Sequence, residues 1–122
     1  RGNTAAGNIT ITSEGGSATM QLQQGVAKAW AAIDPNVIDD SFNVASLTDV
    51  ATGDFDYNFT SDFSNADYST SGGKQNSSSN NSDIVAYYTE TYTSRTRQRY
   101  YESGGTLRDP ANANVTVHGD LA

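Results

Sequence analysis

A chain of 122 residues has room for one domain, or one domain with an extended arm. Only 35% of its residues are hydrophobic and none is Cys, which excludes disulfides, thiolate metal sites and thiol catalysis; so small an apolar share in so small a domain favours an obligate multimer. Acidic residues outnumber basic ones 14 to 7, and the net charge of -7 is the wrong sign for a phosphate backbone, so no nucleic-acid partner is expected.

The surplus of Ser, Thr, Asn and Gly disfavours long helices, because short polar side chains compete with the backbone for hydrogen bonds. No apolar run reaches the roughly 18 residues of a bilayer span, so membrane insertion is not expected. The start at Arg1 reads as a fragment of a longer chain or a processed one, and the lack of Cys fits assembly in a reducing cytosol followed by life outside the cell.

Residues 1–20 read as an arm or linker with one short strand, where Ile9 and Ile11 alternate with polar neighbours; residues 21–122 read as the globular unit. Met20 to Ile33 has an ambiguous period, with helix formers interrupted by Gly25, and strand is favoured for Ala27 to Ile33. Asp34-Pro35-Asn36 is a turn. Ser41 to Asp49 places Phe42 and Val44 on one face and Leu47 on the other. After the turn at Thr52-Gly53, Asp54 to Phe63 alternates strictly: Phe55, Tyr57, Phe59 and Phe63 share one face, and Asp54, Asp56, Asn58, Thr60 and Asp62 share the other. With Phe42 to Leu47 this segment makes an antiparallel hairpin. Ser64 to Asp67 turns the chain, Tyr68 begins a short strand, and Ser71-Gly72-Gly73 ends it. Gln75 to Ser82 is a low-complexity polar loop. Ile84 to Thr93 and Arg95 to Tyr101 are strands, Gly104-Gly105 and Asp109-Pro110 mark another loop, and Val115 and Val117 alternate in a last strand. The expected fold is therefore all-β, a small antiparallel β-sandwich or β-prism, with Trp30, Phe42, Val44, Phe55, Tyr57 and Phe59 in its core.

Chemistry-bearing patterns are sparse. Asp54, Asp56 and Asn58 have a carboxylate spacing that invites a calcium reading, but they alternate with aromatics on a strand rather than lining a tight loop, so a solvated polar face is preferred and no metal or cofactor is expected. Asp34, Asp39 and Asp40 read as turn residues rather than a general acid–base pair. There is no nucleophile elbow, P-loop or His pair, and His118, the one His, reads as an ordinary strand-end residue. The chain is thus expected not to be an enzyme. Arg95, Arg97 and Arg99 fall on one strand face. Outward they form a positive stripe suited to anionic sugars or phosphate; alternatively they protect an edge strand or pair with Asp across subunits, which is the preferred reading. Tyr87, Tyr88, Tyr92, Tyr100 and Tyr101 exceed what one small core needs, so some are expected between subunits or stacked on sugar rings. Tyr87, Tyr88, Tyr92, Arg95, Arg97, Arg99 and Tyr100 are the candidate receptor or partner contacts.

Four blocks in order, Gly25 to Trp30, Asp40 to Asp49, Thr52 to Thr60 and Asn65 to Tyr68, followed by a variable loop, a Val-x-Val strand and a terminal Gly119-Asp120, resemble the C-terminal domain of marine bacteriophage and cyanophage tail-fibre-like structural proteins. The likeness runs from about Asn8 to Ala122. It implies a virion structural protein with a short, usually trimeric β-knob, which meets other virion proteins and a host surface glycan or outer-membrane receptor. The sequence departs from that pattern at Ala31-Ala32, where bulky residues are frequent, and in the very polar Lys74 to Ser82. The resulting expectation is a homotrimeric appendage domain presenting Gly72 to Asp83 and Ser103 to Asn114 for adsorption. The alternative is an architectural module of capsid, neck or tail.

Overall fold

The computed structural model describes residues 9–16, 18–75, 85–102 and 104–122. Every sheet pairing is antiparallel. The elements are β1 (Thr10–Thr12), β2 (Thr19–Gln21), α1 (Leu22–Gly25), β3 (Ala29–Ile33), β4 (Ile38–Phe42), β5 (Val44–Ala51), β6 (Asp54–Phe59), β7 (Ser69–Gln75), β8 (Val85–Tyr92), β9 (Arg95–Tyr101) and β10 (Asn112–His118). α1 is a single turn, too short to satisfy the period that its helix formers suggest, and among the described residues no helix is long and apolar enough to cross a membrane.

β1 and β2 form a separate hairpin, all of whose strand residues are exposed. The other eight strands make two four-stranded sheets, ordered β4-β3-β10-β7 (sheet I) and β5-β6-β9-β8 (sheet II). Their facing sides bury one continuous cluster, giving a sandwich-like all-β architecture. The chain passes from sheet I to sheet II at Asn43, which takes a positive φ of 56° between β4 and β5. Its side chain ties the corner down: Nδ2 donates to the carbonyls of Lys28 and Ser61, and Oδ1 accepts from Ser61 N at 2.7 Å. Asn tolerates the left-handed region and replaces backbone pairing locally.

The two inner faces are unequal in size. Sheet I contributes Ala29, Ala31, Ile33, Ala113, Val115 and Val117, whereas sheet II contributes Phe55, Tyr57, Phe59 and Tyr100. Rings from one sheet fill the space left by small residues of the other. This division corrects the expected core. Val44, Phe55, Tyr57 and Phe59 are buried, but Trp30 is 37% exposed and Phe42 51% exposed. Trp30 alternates with Ala29 and Ala31 on β3, and those alanines are what the large rings require, so the indole faces outward.

Further differences concern boundaries. β6 ends at Phe59 rather than continuing to Phe63, which forms an isolated bridge with Leu121. Ser71 to Gly73 lie within β7, not at its end, and Asp39 and Asp40 stand on β4 rather than in the preceding turn. The Phe63 ring packs at a tilt against Phe59 at 4.7 Å and Tyr68 at 4.6 Å, and closes one end of the sandwich. The Tyr68 hydroxyl lies 2.7 Å from the Arg95 carbonyl and accepts from Tyr92 N, fixing the 60–68 connection to the β8–β9 hairpin.

Candidate functional site

The opposite end carries the connections. In sheet I, Ile33 and Asn112 neighbour one another through β3 and β10, and Asn112 pairs with Gln75. In sheet II, Tyr101 pairs with Val85, and Asp54 with Ala51. The β3–β4 turn, the β5–β6 turn, the 102–111 connection and both ends of the β7–β8 connection therefore gather at one end. Residues 76–84, and with them most of the expected loop Gly72 to Asp83, lie outside the described residues. Of the second expected loop, Asn112 to Asn114 belong to β10.

This end is tightly braced. Glu102 N donates to Thr106 O and Gly105 N to Glu102 O, closing a short excursion that Leu107 rejoins by a bridge to Tyr101. Arg108 pairs with Glu102 at 2.8 Å. Asp109 accepts Gly53 N at 2.6 Å, and Tyr100 N donates to Gly53 O. Gly53 is required here: its φ is +66°, and a Cβ would lie 2.7 Å from Arg108 N and 2.8 Å from Tyr100 O. Val37, 64% exposed, and Val50, 43% exposed, stand at the same end.

The arginine stripe occupies the outer face of sheet II. β9 is an interior strand between β6 and β8, so its arginines do not guard an edge. Across β6, Arg99 stands opposite Asp54 and Arg97 opposite Asp56; across β8, Arg97 stands opposite Glu90 and Arg95 opposite Tyr92. Arg97 grips Asp56 through two bonds, Nε to Oδ1 at 2.7 Å and Nη2 to Oδ2 at 3.0 Å. Arg99 Nε donates to Asp54 Oδ2 at 2.8 Å. Asp54 and Asp56 are nearly buried under these guanidinium groups, which replaces the expected solvated polar face. Arg95 Nε is 3.2 Å from Asp56 Oδ2, and Arg97 Nε is 3.6 Å from Asp54 Oδ1, yet neither Arg95 Nε nor Asp54 Oδ1 has a hydrogen-bond partner; these two approaches are electrostatic contacts only. The Arg95 guanidinium also lies 3.8 Å above the Tyr92 ring.

Hydrogen bonding to Asp56 pushes the Arg97 guanidinium further up from its already high value, and Asp54 does the same for Arg99. The Glu90 carboxylate, which accepts from the Tyr92 hydroxyl, raises that phenol. Three arginines thus meet three carboxylates inside one chain, and the positive stripe is cancelled. The Asp partners were hidden because β6 and β9 are far apart in sequence.

Tyr100, expected among the surface contacts, is fully buried and shares a 2.7 Å hydrogen bond with Tyr57. Strand parity held the signal: if Arg95, Arg97 and Arg99 face outward, Thr96, Gln98 and Tyr100 must face inward, and all three are buried. Tyr92 is exposed, and Tyr87 and Tyr88 lie on β8 with side chains outside the described residues. His118 is half-buried on β10 opposite Ser69. Among the described residues no group of three or more His, Cys, Asp or Glu is placed to hold a metal ion.

No protein-family model, curated protein or solved structure matches the chain.

Proposed function

We propose that the chain is a non-catalytic, homotrimeric appendage module of a bacteriophage particle, which attaches to a host surface through the connections gathered at one end. The observation that carries this reading is that convergence: a braced sandwich with one end closed by Phe59, Phe63 and Tyr68 and the other presenting the turns at 34–37 and 52–53 and the 102–111 excursion. Rigid scaffolds with loops at one pole are a common basis for recognition. The ordered sequence blocks that resemble tail-fibre-like proteins supply the particle and the trimer. Three weak sites on one head, repeated over several heads, give avidity without any strong single contact.

Antibody labelling of intact particles tests the location, and competition by the soluble chain for adsorption to susceptible cells tests the role. Label on the appendages with reduced adsorption supports the reading. Label on particles with no effect on adsorption favours an architectural module, and a monomer in sedimentation overturns the trimer.

A further inference from the structure

The outer face of sheet I carries a feature that the loop-bearing end does not use. Residues directly opposite in an antiparallel sheet share a face, so its register defines two adjacent rows. One row is Phe42, Trp30, Thr116 and Ser71; the next is Asp40, Ala32, Asn114 and Gly73. The first begins with two exposed aromatic rings. The second is low at Ala32 and Gly73, which have little or no side chain and are separated by the exposed amide of Asn114, and beside it lies a shallow depression of about 430 Å3 edged by Asp39, Asn112 and Asn114. Asn114 Oδ1 accepts Gly73 N at 3.0 Å, which leaves the amide hydrogens of Nδ2 to donate elsewhere.

We infer that this face binds a neutral glycan, with Trp30 and Phe42 stacking on the C–H face of a sugar ring while the next ring settles over Ala32 and Gly73. A pyranose has an apolar face and a rim of hydroxyls, so it needs an aromatic ledge beside polar groups that both accept and donate. Asp39 and Asp40 supply acceptors, and Asn112 and Asn114 supply amides. Rows on a strand are about 7 Å apart, so a ring stacked on the aromatic row leaves the second row within reach of the adjoining unit. Charge sets the class: Asp39 at the depression, Asp40 in the row opposite Ala32 and a chain charge of -7 oppose uronic acids, sialic acids and phosphorylated sugars. Flanking carboxylates and amides also make the rings a poor seat for an apolar protein surface, which would strand those groups unpaired. The site goes beyond the attachment reading above and does not rest on it, since the face would bind sugar whether or not the chain belongs to a particle.

Trp30 is the only tryptophan among seven tyrosines, so emission excited at the red edge, where tyrosine does not absorb, reports on this face. The full chain is applied to an array of neutral and acidic glycans, and the neutral oligosaccharides it retains are titrated against its fluorescence. The expected result is a saturable change with at least one neutral oligosaccharide. On the array, Phe42→Ala and Trp30→Ala weaken retention at least about tenfold, Gly73→Leu blocks it by filling the low row, and Ile11→Ser, at an exposed position of the β1–β2 hairpin, leaves it unchanged. Circular dichroism identifies any variant that fails to fold, and the remaining ones decide. The inference is overturned if no neutral glycan is retained, if only acidic ones are, if retention survives loss of both rings, or if Trp30 is shielded from acrylamide quenching in the unliganded protein.

Discussion

The phenol oxygens of Tyr57 and Tyr100 lie 2.7 Å apart in the middle of the sandwich, each ring fully buried on adjoining strands of sheet II. Each hydroxyl is the other's partner across strands β6 and β9. Replacing one by Phe leaves the other buried without that bond, whereas replacing both removes the demand. Tyr57→Phe or Tyr100→Phe should each cost about 1 to 3 kcal/mol, and the double variant less than their sum. Urea denaturation of the three variants measures the coupling.

The same pair sets an alkaline limit. Burial pushes both phenols above their ordinary value of 10.0, Tyr100 to about 12. Unfolded tyrosines release protons above about pH 10 while the folded pair keeps them, so the unfolded state binds fewer protons and gains stability as pH rises. The contribution is whole below pH 10 and is lost towards pH 12 and beyond. Far-ultraviolet circular dichroism against pH should show unfolding in that window, and Tyr57→Phe/Tyr100→Phe should move it upward.

The guanidinium ladder should behave as structure, not as a binding surface. Asp56→Ala removes both bonds to Arg97 and should cost about 2 kcal/mol, while substitution at Arg95, whose Nε makes no hydrogen bond, should cost less than substitution at Arg97. Because Asp54 and Asp56 are nearly buried, added salt should recover little of the difference. Thermal melts at low and high salt check both statements.

Two glycines with similar dihedral angles should respond differently to alanine. Gly105 has a φ of +80° and open space around its Cβ position, so Gly105→Ala should cost about 1 kcal/mol of backbone strain. Gly53→Ala meets the same strain plus the backbone of Arg108 and Tyr100, and should cost about 3 kcal/mol or prevent folding. Chemical denaturation of the two variants gives the comparison.

Phe42→Ser should be nearly neutral for stability, within about 1 kcal/mol, because half of the side chain is already in water. Phe55→Ala, at a fully buried site, should cost about 3 to 5 kcal/mol. A similar cost at both sites in urea melts would restore Phe42 to the core.

Legibility in the sequence varied with how firmly local pattern constrained each element. In Asp54 to Phe59 every second residue is aromatic and the rest are polar, so the ring face had to be the one turned to the core, while the burial of Asp54 and Asp56 on the other face depended on arginines that arrive from β9. In Ala29 to Ile33 both phases are apolar, Ala-Ala-Ile against Trp-Ala, and size favours burying Trp30; the choice was made instead by the rings arriving from sheet II. Asn43 is a second case. Nothing between Phe42 and Val44 marks a change of sheet until the positive φ and the bonds to Lys28 and Ser61 are seen, so the segment read as one strand rather than two. At the candidate attachment end, the turns were visible through Gly and Pro, but their meeting depends on which strands pair. On the outer face of sheet I, the rows that place Trp30 beside Phe42 and Ala32 beside Asn114 exist only through register.

β10 sits between β3 and β7, strands separated from it by some 80 and 40 positions of chain, and every hydrogen bond joining the halves of sheet I passes through it. During synthesis, β3–β4 and β7 leave the ribosome as disconnected pieces with the apolar sides of Ala29, Ala31 and Ile33 uncovered. Only when residues 112–118 emerge can the layer zip together. Folding is therefore expected to be a late event on the translating ribosome, governed by distant contacts, and a stalled or shortened nascent chain is the form most exposed to aggregation.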